Sequence, residues 1–138
     1  MMISTKGTYA LRVMIDLAQH ENEGYISLKS IAERQQVSMK YLESIVSLLN
    51  KGGMLTSLRG KDGGYMLKKS AEEYHIGEIL RLTEGGLTPV SCHGFSDGDE
   101  ECRNVNRCLT FPMWQKLDTL INEYLDKVSL KDLLDGNV

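Results

Sequence analysis

The sequence predicts a mainly α fold with a single small β-hairpin, and three observations carry that prediction. Between Ser27 and Leu67, two short stretches with a helical apolar period sit almost end to end, joined by a tight polar turn. Two short β-prone runs follow, Met54 to Leu58 and Tyr65 to Leu67, around a glycine-rich tip. Last, a long amphipathic stretch begins at Thr110. In this order the parts describe a winged helix-turn-helix domain over residues 1–86, a connecting loop over 87–108, and a long C-terminal dimerisation helix with its tail over 109–138.

The first helix is expected to begin near Ser4 or Thr5, either of which can cap it, and to end at the turn between Glu21 and Gly24. Its apolar stripe is Ala10, Leu11, Met14, Leu17 and Ala18. Ser4, Thr5, Lys6 and Tyr9 cluster at its positive end, where helix starts hold phosphates, although a solvated cap explains them equally well. The second helix starts at Ser27 with Leu28, Ile31 and Ala32 inward, and the polar run from Glu33 to Gln36 ends it. Lys29 lies on its outer side. In the third helix Ser38 is a suitable N-cap, Leu42, Ile45, Val46 and Leu49 form the buried stripe, and Gly52 and Gly53 stop it. Its outer face then offers Met39, Lys40, Glu43, Ser44 and Ser47, with Tyr41 near the start, as the base-reading face of a helix-turn-helix would.

The hairpin tip reads Arg59-Gly60-Lys61-Asp62-Gly63-Gly64 and leads into Tyr65. Its glycines allow close approach of the backbone, and Arg59 and Lys61 supply positive charge, so the tip suits phosphates or a minor groove. The alternative is a surface hairpin packed beside a helical core. A helical turn over Ser70 to Glu73 is expected next, then a short helix over His75 to Thr83 closed by Gly85 and Gly86. In the long C-terminal helix, with Pro112 in its first turn, Trp114, Leu117, Ile121, Tyr124 and Val128 recur at intervals of three and four. That seam predicts a homodimer, which would place two reading helices about 34 Å apart on a palindromic site of double-stranded DNA. Ser129 to Leu134 is expected to add one turn before fraying.

The net charge of −3 conceals two halves of opposite sign. Residues 1–69 hold ten Lys or Arg against six Asp or Glu, and residues 70–138 hold six against thirteen. The basic half is the helix-turn-helix half, where release of counterions from DNA phosphates would drive binding. No membrane span or secretory signal is recognisable, so the expected compartment is the cytoplasm. Nor does any nucleophile–base pair, phosphate loop or C-x-x-C pair point to an enzyme.

All three cysteines, Cys92, Cys102 and Cys108, fall within seventeen residues rich in Gly, Ser, Asp and Asn, at the spacing C-x9-C-x5-C. An odd number in one loop argues against a disulfide framework and for metal or redox chemistry, because soft thiolates favour zinc, copper(I) or iron–sulfur clusters. Four-ligand sites need one more donor. His93 and the acidic residues Asp97, Asp99, Glu100 and Glu101 are nearby, and reduced thiols without a metal remain an alternative.

The segments ISTKGTYALRVMIDLA, VSMKYLESIVSLLNKGGML, SLRGKDGGYML and IGEILRLTEG together resemble the Rrf-two family of winged-helix bacterial regulators over nearly the whole chain. The resemblance implies that Ser38, Lys40, Tyr41 and Glu43 enter the major groove, with Glu43 accepting from a cytosine amino group, and that Arg59 and Gly60 enter the minor groove. It also implies that Cys92, Cys102 and Cys108 hold an iron–sulfur cluster, 2Fe-2S or 4Fe-4S. The family's fourth ligand does not carry over, because the matching positions hold Phe111, Thr8 and Arg12. The expected function is a DNA-binding transcriptional regulator, read as a repressor, that senses redox, nitric oxide or iron status through the cluster. The alternatives are a cluster-free regulator controlled by a partner protein or by direct thiol oxidation, and a zinc-stabilised interaction module.

Overall fold

The structure, a computed structural model, describes residues 3–90 and 108–138. Its elements in chain order are α1 (Thr5–Gln19), α2 (Leu28–Gln35), α3 (Met39–Lys51), β1 (Leu55–Leu58), β2 (Gly64–Leu67), α4 (Ile76–Glu84), α5 (Phe111–Lys127) and α6 (Leu130–Asp135), with 3-10 turns at Glu21–Glu23 and Ala71–Glu73. This mainly α arrangement with one antiparallel hairpin is the fold that the sequence predicts.

Local chemistry sets most of the boundaries. Ser4, Ser27 and Ser38 each accept a hydrogen bond from an amide in the first turn of the helix they precede, satisfying donors that have no intrahelical partner. The first three residues of the predicted polar stop are instead helical: α2 runs to Gln35, and Gln36 ends it in the left-handed conformation at φ 54°. α3 buries Leu42, Ile45, Val46 and Leu49, the four residues of its predicted stripe. These join Ala10, Val13, Met14 and Leu17 of α1, Ile31 of α2, and Ile79 and Leu80 of α4 in one core.

The hairpin pairs Leu55 with Leu67 at its root and Leu58 with Gly64 at its tip. Ile26 extends it, exchanging two 2.8 Å backbone hydrogen bonds with Tyr65. Gly64 is required by this contact, because a Cβ there would fall on the carbonyl of Ile26. Gly64→Ala is therefore expected to cost about 2 kcal/mol, as overpacking against backbone does. Urea denaturation checks this, and an unchanged midpoint would contradict it.

Two expectations for the C-terminal region need correction. The expected turn after Ser129 is present as α6, but it is docked and not a loose end: Ser129 caps it, Val128, Ser129 and Leu130 are buried, and Leu133 and Leu134 pack against the core. The hydrogen bonds Ile76 N–H to Val128 O (2.9 Å) and Leu130 N–H to Tyr74 O (3.0 Å) stitch this corner to the segment before α4. The predicted seam on α5 also mixes faces. Ile121, with Leu125, packs on the core and Val128 is buried beyond the helix end, whereas Leu117 and Tyr124 share an exposed stripe with Met113 and Leu120. Among the described residues, no helix is long and apolar enough to cross a membrane.

Candidate nucleic-acid interface

α3 presents Met39, Lys40, Glu43, Ser44 and Ser47 to solvent, opposite its buried stripe. Ser38, Lys40, Tyr41 and Ser44 line a shallow depression of about 350 Å³ at its start. Tyr41 is less free than its neighbours, being half-buried with its ring edge-to-face against Tyr9, 5.7 Å between centroids. The Arg12 guanidinium lies 4.5 Å from the Tyr9 ring centre and donates to the Gln35 side chain (3.0 Å) and carbonyl (2.9 Å). α1 thus braces both the end of α2 and the start of α3, which fixes the angle at which the exposed face of α3 is offered.

That brace rests on a buried carboxylate. Asp16 is 1% exposed and receives Arg34 Nη2 at 2.7 Å, Arg34 Nε at 3.0 Å and Gln35 Nε2 at 3.0 Å. Burial pushes the Asp16 carboxyl up, but the hydrogen bonds from Arg34 and Gln35 and the nearby positive charge together outweigh it and hold the group below the usual carboxylate range.

The wing tip leaves Arg59, Gly60 and Lys61 exposed, and Gly60 takes φ +115°, a conformation open to glycine. Gly63, Gly64 and Tyr65 are half-buried, since the last two lie against Ile26. Leu58, 48% exposed beside Arg59, joins the site although the sequence motifs do not point to it. The strand period held the clue, because a residue three places after the inward Leu55 falls on the opposite face.

At the start of α1, Thr5 and Lys6 are exposed, as is Lys29 on α2. Ser4 turns inward: its amide and hydroxyl donate to Glu84 Oε1 at 3.0 and 2.7 Å, and its oxygen accepts from Gly7 N–H. The Glu84 carboxylate therefore takes the Ser4 donors, which removes Ser4 from the phosphate contacts expected at this helix start and leaves Thr5 and Lys6 exposed there. No local pattern could have revealed this pair, whose members are 80 residues apart.

Of the three cysteines, Cys92 and Cys102 lie outside the described residues, and Cys108 stands just before α5. Its Sγ is 3.2 Å from the Thr110 hydroxyl, and that hydrogen bond, with those from the Thr110 and Phe111 amides, lowers the thiol pKa. Of the positions matched to a fourth ligand, Thr8 donates its hydroxyl to Thr5 O and Arg12 is the cation bound to Gln35.

The family model described as "Rrf2: Iron-dependent Transcriptional regulator" matches residues 3–136. The chain belongs to the Rrf2 family. It is 37% identical over 136 residues to the HTH-type transcriptional regulator IscR of Pectobacterium carotovorum, covering 99% of this chain and 80% of that protein. Among solved structures it is similar to CymR, the global cysteine regulator of B. subtilis, at 37% identity and TM-score 0.79 over 99% of this chain and 98% of that one. It is likewise similar to T. potens IscR, at 38% identity and TM-score 0.77 over 100% and 89%. The chain is accordingly an Rrf2-family, DNA-binding transcriptional regulator, and the relatives carry the names of regulators rather than enzymes. Both IscR and CymR share its winged-helix fold.

Proposed function

We propose that two copies of this chain bind a palindromic operator and repress transcription, each laying α3 in the major groove and its Arg59–Gly64 tip against the minor groove. The observation that carries this reading is the shared exposure of the α3 face, Met39, Lys40, Glu43 and Ser44, and of the basic tip residues Arg59 and Lys61, with Tyr41 braced between α3 and α1. Thr5, Lys6, Tyr9 and Lys29 are assigned to the flanking phosphates, and Gly60, Gly63, Gly64 and Tyr65 give the wing its shape. Ser4 serves α1 as its cap, and Ser38 caps α3 at the groove. Glu43 is assigned to base readout. Glu43→Ala is expected to cost about 1–3 kcal/mol on the specific site and nothing on random duplex. Fluorescence anisotropy on both DNAs checks this, and an equal loss on each would contradict the assignment.

We assign Cys92, Cys102 and Cys108 to an iron–sulfur cluster. The donor set suits it by its chemistry, since the sequence supplies three soft thiol donors and the Thr110 hydroxyl, 3.2 Å from Cys108 Sγ, lowers that thiol's pKa. When bound, the cluster supplies a centre that oxygen, nitric oxide or iron scarcity can alter. The chain's own residues then relay a change in the tether. The segment leaves α4 just after Glu84, which holds the start of α1 through Ser4, while Arg81 grips α5 through Asp126 (2.8 and 2.9 Å) and Asn122 (2.7 Å). Similar identity to CymR and to IscR favours keeping a second reading, a cluster-free regulator in which a partner protein or direct oxidation of thiols such as Cys108 is the switch. Anaerobic purification separates the two. Bound iron and sulfide that fall in Cys108→Ser support the cluster, and colourless, iron-free protein from iron-replete cells refutes it.

A further inference from the structure

We propose that Tyr74 positions the wing for DNA, fixing the root of the hairpin and tying it to the end of α5. Tyr74 is fully buried, and its phenol joins both sides of the hairpin root. The hydroxyl donates to Met54 O at 2.6 Å and accepts from Lys68 N–H at 2.9 Å and Lys69 N–H at 3.4 Å. The last paired residues are Leu55 and Leu67, so the phenol oxygen stands where the next rung of the ladder would be. The ammonium of Lys69 covers the ring at 5.0 Å.

The backbone of the same residue faces the other way. Its carbonyl accepts from Leu130 N–H at 3.0 Å, and Ile76 N–H donates to Val128 O at 2.9 Å, at the corner between α5 and α6. One residue therefore links the wing root, through its hydroxyl, to the end of the helix assigned to dimerisation, through its carbonyl. Besides the burial of Leu55 and Leu67 in the core, two polar contacts hold the wing: the Ile26–Tyr65 bridge near the tip end of β2, and the Tyr74 hydroxyl at the root. Loss of the second frees the two sides of the root, and DNA binding must then order them again.

The inference rests on the reading that the wing touches DNA, and the test separates the two. Tyr74→Phe, Arg59→Ala and the double variant are compared by anisotropy on the specific duplex, with circular dichroism and amide exchange on each protein. Tyr74→Phe is expected to melt cooperatively, to exchange hairpin amides faster, and to bind about five- to tenfold more weakly, the scale of one hydrogen bond. In the Arg59→Ala background the same change is expected to add little, because both act through the wing. Unchanged affinity in Tyr74→Phe, a loss that adds in full to that of Arg59→Ala, or a variant unfolded at the assay temperature would overturn the proposal and leave Tyr74 a core residue. If Arg59→Ala binds as tightly as the parent, with the same salt dependence, the wing's place on DNA is itself refuted, and this proposal with it.

Discussion

Replacing Leu117 and Leu120 together with Asp is expected to give a folded monomer whose affinity for a two-half-site operator falls by about 10²–10⁴-fold, the range set by losing a linked second binding event. Met113, Leu117, Leu120 and Tyr124 recur at helical spacing on α5 and are 54%, 38%, 54% and 55% exposed. Met113, Trp114, Lys116, Leu117 and Leu120 also line an apolar groove of about 350 Å³. A stripe of this length left in water marks an interaction surface. Because it lies outside the core, charges placed there are expected to weaken the proposed dimer and to leave the fold intact. Sedimentation velocity and anisotropy read the two effects. A double variant that still sediments as a dimer would move the interface elsewhere on the molecule.

Asp16→Asn is expected to destabilise the fold by about 3 kcal/mol at neutral pH, the low end for breaking a buried pair, because the Arg34 side chain, 35% exposed, can still reach water. The loss should depend on pH. A carboxyl held below its ordinary value stabilises the folded state fully above the unfolded pKa of about 3.9, and this contribution disappears as pH falls through the lower folded value. The gap between parent and variant in urea midpoint is therefore expected to stay level from neutral pH down to about pH 5 and to close below about pH 4. A gap independent of pH would show that the charge of Asp16 is not what stabilises the fold. As Gln35 bridges Asp16 and Arg12, the variant should also loosen the brace on Tyr41.

What could be read from the residues was what local chemistry dictates. The inward stripe of α3, Leu42, Ile45, Val46 and Leu49, follows from spacing alone, and the serine caps follow from the need to satisfy first-turn amides. The glycine-rich tip between two β-prone runs likewise gave the hairpin, so the exposed α3 face and Arg59 and Lys61 were legible as a candidate site. Pairs distant in sequence were not. Asp16 reads as one polar residue on an amphipathic helix, and only the fold brings Arg34 and Gln35 to it. Glu84 reaches Ser4, and the Tyr74 hydroxyl reaches Met54, by the same kind of long-range closure. The seam that spacing predicts on α5 mixes faces for another reason. That helix carries two apolar faces, and spacing alone does not say which one, Ile121 and Leu125 or Leu117 and Leu120, meets the chain's own core.

The central claim, that two copies of this chain grip one palindromic duplex through basic, braced heads, is tested most directly by sedimentation equilibrium of the protein with a duplex operator across a salt series. Two chains per duplex, with log affinity falling linearly and steeply as log salt concentration rises, is the expected result. A single chain that stays unassociated and leaves the duplex free at low ionic strength, with or without iron, would contradict it.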